Sequence, residues 1–310
     1  MCRYIYGSER NIIVETKIEN ILSKFVVSIP SSITQIYRSA WDIDDTYVLK
    51  TNDDKSQLDK SIMLNQLLLS EGVPVIEFIY STNGKPYVYL DGKYWCLMKK
   101  IKGYCFDPFG GELKNNGIML GKAIAKLHIA LKSIENKVEA YESDFSDELL
   151  SWIVPELEKH SVSFSDGVMD SIVTFLGRDY KALPRQLIHR DIHTSNLLYE
   201  NGTFSFIDFD LSQRNVRIFD IVYLGCSQLV ENYKDETRLK HWCEIFRGIL
   251  HGYNELLPLS EEEINAIPFL FVFDEMLFTA FYLKTGQPEI AKSCEEMTNW
   301  LHKNIATIIR

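Results

Sequence analysis

The sequence predicts an α+β chain in which short antiparallel strands and one helix come first and helices dominate the rest. Three observations carry that prediction. Residues 25–99 hold short apolar runs separated by turn signals such as Pro30-Ser31-Ser32 and Asn83-Gly84. From Gly117 onward apolar residues recur at helical spacing, as in Ile118, Ile124, Leu127 and Leu131. Embedded in that helical part is the stretch LIHRDIHTSNLLYENGTFSFIDFDL, from Leu187 to Leu211, in which polar loops alternate with strand-like runs.

Taken in order, residues 1–24 read as an amphipathic lead-in, with Ile12, Ile13, Ile18, Ile21 and Leu22 at near-helical spacing. Residues 25–27, 34–39 and 46–50 read as a three-stranded meander, joined through Pro30-Ser31-Ser32 and then through residues 41–45. A helix over 56–71 buries Leu58, Ile62, Leu64, Leu67 and Leu68 and stops at Gly72-Val73-Pro74. Residues 75–80 and 87–90 form a hairpin about Asn83-Gly84, and 94–99 is the last strand. Helices follow over 117–131, 163–176, 239–257, 261–284 and 288–309.

Bulk properties bound the function. At 310 residues and 46% hydrophobic content the chain can bury a large core as one two-lobed unit or two domains. Its six cysteines form no Cys-x-x-Cys pair and do not interleave with histidine at ligand spacing, which predicts a reduced, cytoplasmic setting and no zinc site. Residues 1–11 carry Arg3, Glu9 and Arg10 and lack the apolar run of a signal peptide. The apolar stretch 267–283 is interrupted by Asp274 and Glu275 and reads as a buried helix, so no membrane partner is expected. A formal charge of −10 argues against a nucleic-acid partner. Between Glu135 and Asp170 ten acidic residues face only Lys137 and Lys159, which either steers a cationic substrate or simply solvates a helix face.

The chemistry concentrates at His189-Arg190-Asp191, Asn196 and Asp208-Phe209-Asp210. Phosphoryl transfer needs a carboxylate to accept or orient the attacking hydroxyl, and oxygen ligands to hold magnesium against nucleotide phosphates. Asp191 supplies the first. Asn196 on the same loop and Asp208 across a hairpin supply the second, with apolar runs at 186–188, 197–199 and 204–209 framing the loops.

These residues resemble the aminoglycoside phosphotransferase and choline kinase family, small-molecule relatives of the protein kinases. The pattern His-x-Asp-x-His-x-x-Asn followed by Ile-Asp-aromatic is met by His189, Asp191, His193, Asn196 and Ile207-Asp208-Phe209. A protein kinase itself fits poorly, because only about ten residues, with no Ala-Pro-Glu, separate Asp208 from the helix near Phe219. The resemblance implies a protein-kinase-like two-lobed fold, with a nucleotide-binding lobe over 1–99 and a catalytic and acceptor-binding lobe over 100–310. It implies ATP or GTP and Mg2+ as cofactors and a small-molecule hydroxyl as acceptor, such as that of a cationic amino sugar or amino alcohol. Lys50 matches the strand-borne lysine that binds phosphates, Ser31 and Ser32 the loop over them, and Leu97, Met98 and Lys99 the adenine-binding hinge. His189 and Arg190 support the loop; His193 either braces it or takes a direct chemical part. Asp220 is a helix cap, a brace for the loop, or both, and His128 a hydrogen-bonded core histidine.

Two departures stand out. The presumed phosphate loop has no glycine, and no Glu lies near Ser61 and Ile62 to pair with Lys50; Asp59 and Gln66 are the substitutes on offer. Both favour the rival from another class, a non-catalytic nucleotide-binding or structural module on the same fold. In the C-terminal helices Asp274 and Glu275 are candidates to hold the acceptor, while Trp242, Tyr282 and Trp300 form either core or an aromatic cage.

Overall fold

The computed structural model describes residues 12–25, 28–139, 142–230 and 232–309. Among them the chain divides into two compact units. One runs through Ser70 and takes up Pro74–Lys102; the other takes Glu71–Val73 and runs on from Gly103.

The first unit contains α1 (Ile12–Leu22), β1 (Ile33–Tyr37), β2 (Ala40–Ile43), β3 (Tyr47–Asn52), α2 (Lys55–Ser70), β4 (Phe78–Ile79), β5 (Val88–Leu90) and β6 (Lys93–Lys99). The strands form one antiparallel sheet in the order β1-β2-β3-β6-β4, with β5 also on β6. Strand periodicity sends Trp95 and Leu97 to one face and Cys96 and Met98 to the other. The first pair packs with Ile43 and Leu49 against Ile18, Ile21 and Leu22 of α1. The second packs with Phe78 against Leu58 and Ile62 of α2. Each face is thus capped by one helix.

The meander is shifted from its predicted register. Phe25 closes a 3-10 turn instead of opening a strand, and Val26 and Val27 lie outside the described residues. Residues predicted as a connection, Trp41 to Ile43, are strand β2, so the first hairpin turns at Arg38-Ser39. Ser31 and Ser32 therefore precede β1. The hairpin predicted about Asn83-Gly84 also changes: the turn forms, with Gly84 at φ 69°, but β4 and β5 each pair with β6 and not with one another.

The second unit holds β7 (Tyr104–Cys105), α3 (Leu113–Ile134), α4 (Phe145–Glu148), a π-helical turn at Leu149–Ile153 and α5 (Val154–Lys159). It continues with α6 (Val168–Arg178), β8 (Arg185–Ile188), β9 (Leu197–Glu200), β10 (Thr203–Phe206) and β11 (Gln213–Val216). Four long helices close it: α7 (Ile218–Leu229), α8 (Glu236–Leu256), α9 (Glu261–Lys284) and α10 (Pro288–Ile308). β7 and β10 flank β9, and β8 pairs with β11.

Helices α3 and α8 cross with their backbones in contact. A Cβ on Gly117 or Gly121 would lie 2.1 Å from the carbonyl oxygens of Ile245 and Ile249, and one on Gly252 would lie 2.2 Å from that of Ile118. Only glycine permits this approach. At 24 residues α9 is longer than the apolar stretch read from sequence, and with an 18-residue stretch of mean hydropathy 1.6 it is long and apolar enough to cross a membrane. The expectation that length and charge exclude this is corrected. What identifies a core helix is that 67% of its apolar stretch is buried by the rest of the chain.

Candidate active site

Two small ladders hold the loop of the second unit. β8 pairs with β11, and β9 turns back on β10 through Asn201-Gly202, both at positive φ (49° and 85°). The β9–β10 register places Asn196 opposite Ile207, whose N–H donates to the Asn196 carbonyl at 3.1 Å. His189 fastens the two loops together. Its Nε2 donates to the Ile207 carbonyl at 3.0 Å, and its Nδ1 accepts from the Asp191 N–H at 3.3 Å. These partners assign the proton to Nε2. Burial lowers the pKa of this ring, against the opposing charge of Asp220, so it stays neutral.

Asp191 is held from three directions. The Tyr223 hydroxyl donates to its Oδ1 at 2.6 Å, and Asn196 Nδ2 donates to its Oδ2 at 3.1 Å and its carbonyl at 2.9 Å. Burial, together with the charge of Asp191, pushes the Tyr223 phenol far above its ordinary range, so it remains a donor. His193 Nε2 stands 3.8 Å from Asp191 Oδ1, beyond hydrogen-bond reach. Tyr223 was not singled out from sequence. Its signal was its place three residues after Asp220, on the same face of α7.

Asp220 resolves its two readings. It is buried at the third position of α7, where it makes no helix cap. Its carboxylate instead accepts the backbone N–H groups of His189 and Arg190, both at 2.8 Å, and lies 3.0 Å from His128 Nε2. Burial alone would raise its pKa; the hydrogen bonds from the His128 ring and from the His189 backbone outweigh it and hold the carboxyl below its ordinary value. His128 is in turn set by the Tyr253 hydroxyl at 2.8 Å, which the α3–α8 crossing brings within reach. Arg190, at φ 73°, places its guanidinium on Glu148 at 2.8 Å and over the rings of Phe145 and Phe219. Such a strained backbone costs on the order of 1 kcal/mol or more and persists because Asp220 holds both neighbouring amides.

The other expected residues are placed as follows. Asp274 and Glu275 are 1% and 2% exposed, against Cys226, and do not line an open acceptor surface. Trp242 is buried on Phe246 and Phe271, whereas half-buried Trp300 packs on Tyr233 and half-buried Tyr282 on Phe278, so the three fall in separate clusters and form no common cage. In the first unit, Lys50 sits in β3 opposite Ala40, beside the Arg38-Ser39 turn. The backbone and hydroxyl donors of Ser31 and Ser32 all go to Asp44 Oδ1, at 2.7–3.3 Å, at the other end of that hairpin. Roughly 10 Å of strand separates them from Lys50, so the turn beside Lys50 is Arg38-Ser39 and not Ser31-Ser32. Asp59 is engaged by Lys55 and Gln66 by Tyr80. Leu97 and Met98 are paired on both sides within the sheet, and the Lys99 and Lys100 N–H groups donate to the Glu77 and Thr46 carbonyls.

The donor set suits magnesium. Asn196 spends its Nδ2 on Asp191, which turns Oδ1 away as a free ligand atom, and Asp208 is a carboxylate one residue beyond Ile207, the neighbour of Asn196. Amide and carboxylate oxygens are the hard ligands that this ion takes.

A sheet carrying a strand-borne lysine and a helical unit carrying an Asp, Asn, Asp constellation define the fold and site of the small-molecule kinases. The sequence model of the phosphotransferase enzyme family matches residues 30–255, and the chain belongs to that family. Among curated relatives, homoserine kinase of Zymomonas mobilis subsp. mobilis is 25% identical over 203 residues, 64% of this chain. The match spans only 61% of that relative's length. Among solved structures, the GDP complex of aminoglycoside 2'-phosphotransferase-IIIa superposes with a TM-score of 0.71 at 14% identity, covering 94% of this chain and 99% of the other. A microcompartment-associated aminopropanol kinase gives 0.70 at 15% identity, covering 95% and 98%.

Proposed function

We propose that this chain transfers the γ-phosphoryl group of ATP or GTP, with Mg2+, to a hydroxyl of a small amine-bearing molecule. The observation that carries the reading is Asp191 clamped between Tyr223 and Asn196, a carboxylate fixed in position before any substrate arrives. It accepts the acceptor's hydroxyl proton as the new O–P bond forms and the bond from the γ-phosphorus to the bridging oxygen breaks, releasing the nucleoside diphosphate. Asn196 Oδ1 and the Asp208 carboxylate hold the magnesium ion, which when bound offsets the charge of the phosphate oxygens. Lys50 contributes an ammonium to the nucleotide phosphates. His189 and Asp220 do not touch the substrate; they hold the backbone on either side of the carboxylate.

The acceptor class draws on the relatives. Homoserine, aminopropanol and aminoglycosides, the molecules named for them, each combine an amine with a hydroxyl. The test is magnesium-dependent nucleotide consumption against amino alcohols, hydroxy amino acids, aminoglycosides and amine-free sugars. Turnover on an amine-bearing acceptor that falls about 10³-fold in Asp191→Asn is the expected outcome. Equal turnover in the variant would sink the assignment of Asp191, and preference for amine-free sugars would sink the acceptor class.

A further inference from the structure

One turn beyond Tyr223 along α7 lies a group of side chains that the phosphotransfer reading does not use. Cys226 of α7 and Asp274 and Glu275 of α9 each place a ligand atom within 4.8 Å of the others, and all three are buried. Cys226 Sγ is 3.3 Å from Glu275 Oε1. Neither carboxylate joins an ion pair among the described residues. Asp274 Oδ1 and Glu275 Oε2 are fully enclosed and have no hydrogen-bond partner.

Two adjacent carboxyl groups without a cation are costly in a core, since each loses hydration and each opposes the charge of the other. Burial raises the Glu275 pKa to about 7 and that of Asp274 well above its ordinary value. Protons remove the charge, yet the two enclosed oxygens still have no partner. A dication would satisfy both.

We propose that Cys226, Asp274 and Glu275 form a binding site for a thiophilic divalent cation of the zinc class. A thiolate beside two carboxylates suits that ion and disfavours magnesium, whose all-oxygen ligands sit at Asn196 and Asp208. The three side chains come from two helices, so the cation ties α7 to α9. Asp220, Tyr223 and Cys226 recur every three residues along one stripe of α7. A cation on Cys226 therefore fixes the same stripe that orients Asp191 and the backbone of its loop. Coordination requires the thiol and carboxyls to release their protons to solvent, so uptake weakens as pH falls.

The test uses the full chain, stripped with a chelator and titrated with Co2+. One equivalent should give the visible bands of tetrahedral cobalt with a thiolate-to-cobalt charge-transfer band. Zn2+ should displace it, and a thousandfold excess of Mg2+ should not. Cys226→Ser and Asp274→Asn should each abolish the charge-transfer band or weaken binding at least tenfold, and Zn2+ should raise the thermal midpoint of the native chain alone. Asp208→Asn, at the magnesium ligands, should leave the cobalt spectrum unchanged. A native chain that binds no stoichiometric cobalt, or binds it without the thiolate band, overturns the proposal whether or not the variants fold. Because the readout is spectral, it is independent of whether the chain turns over any acceptor.

Discussion

Tyr223 ties the chemistry of the candidate site to the helix behind it. Its hydroxyl is a donor at every working pH, and a hydrogen bond to a charged carboxylate contributes about 1.5–3 kcal/mol. Tyr223→Phe should therefore lower kcat roughly ten- to hundredfold. The KM for nucleotide should stay within about twofold and the thermal midpoint should change little, since the ring packing against Phe219 and Phe278 is kept. Turnover within twofold of the native chain would show that Asn196 alone positions Asp191. Sequence pattern pointed to Asp191, Asn196 and Asp208 because their chemistry is bound to a fixed spacing along one stretch. Tyr223 escaped, because a tyrosine on an apolar helix reads as core until its hydroxyl is seen to meet a carboxylate. The same holds for Glu148, which looked like one charge in an acidic run and turns out to pair with Arg190.

At the scale of elements, the crossing of α3 and α8 sets the position of the catalytic loop from a distance. The four glycines Gly117, Gly121, Gly248 and Gly252 let the backbones touch, and that contact brings Tyr253 to His128 and His128 to Asp220. Gly121→Ala would put a Cβ against the Ile249 carbonyl and force the helices apart, at a cost of about 3 kcal/mol or more. Gly177→Ala in α6 meets nothing within 4 Å and should be neutral or stabilising by up to about 1 kcal/mol. Chemical denaturation of both variants checks the pair. Equal stability would mean that the crossing yields readily to a methyl group. The strands of the first unit show where pattern misleads: residues 41–45, with Asp42, Asp44 and Asp45 close together, read as a connection, yet Trp41 to Ile43 belong to β2 and Asp42 sits within that strand, paired with Lys100. The polar residue was on a ladder, satisfied by a partner 58 positions away.

For the molecule as a whole, half of the ten acidic residues from Glu135 to Asp170 are paired. Glu135 meets Lys132 and Arg214, Glu142 meets Arg214, Asp144 meets Arg185, Glu148 meets Arg190 and Glu156 meets Lys159. A paired charge projects little potential, so the run's steering field is smaller than its formal charge. Nucleotide binding gives a prediction at this scale. A ligand at a hundredfold its Kd stabilises the folded state by about 2.7 kcal/mol, so MgATP should raise the midpoint of thermal unfolding. Asp208→Asn should remove the magnesium-dependent part of that rise while leaving the ligand-free midpoint near that of the native chain. A magnesium effect that survives in the variant would remove Asp208 from the ligand set.

Sequence alone determined the fold class, the order of most helices and the loop chemistry, because helical periodicity and a contiguous catalytic stretch are properties of neighbours along the chain. Long-range pairing decided the rest. It placed the first hairpin turn at Arg38-Ser39, where Lys50 lies beside it, and gave Ser31 and Ser32 to Asp44. It also put Tyr223 on Asp191 and gathered Cys226, Asp274 and Glu275 into one buried group. These contacts join residues about 10 to 50 positions apart, and which of the many polar side chains meet at such separations depends on how helices and strands pack, a quantity no local pattern encodes.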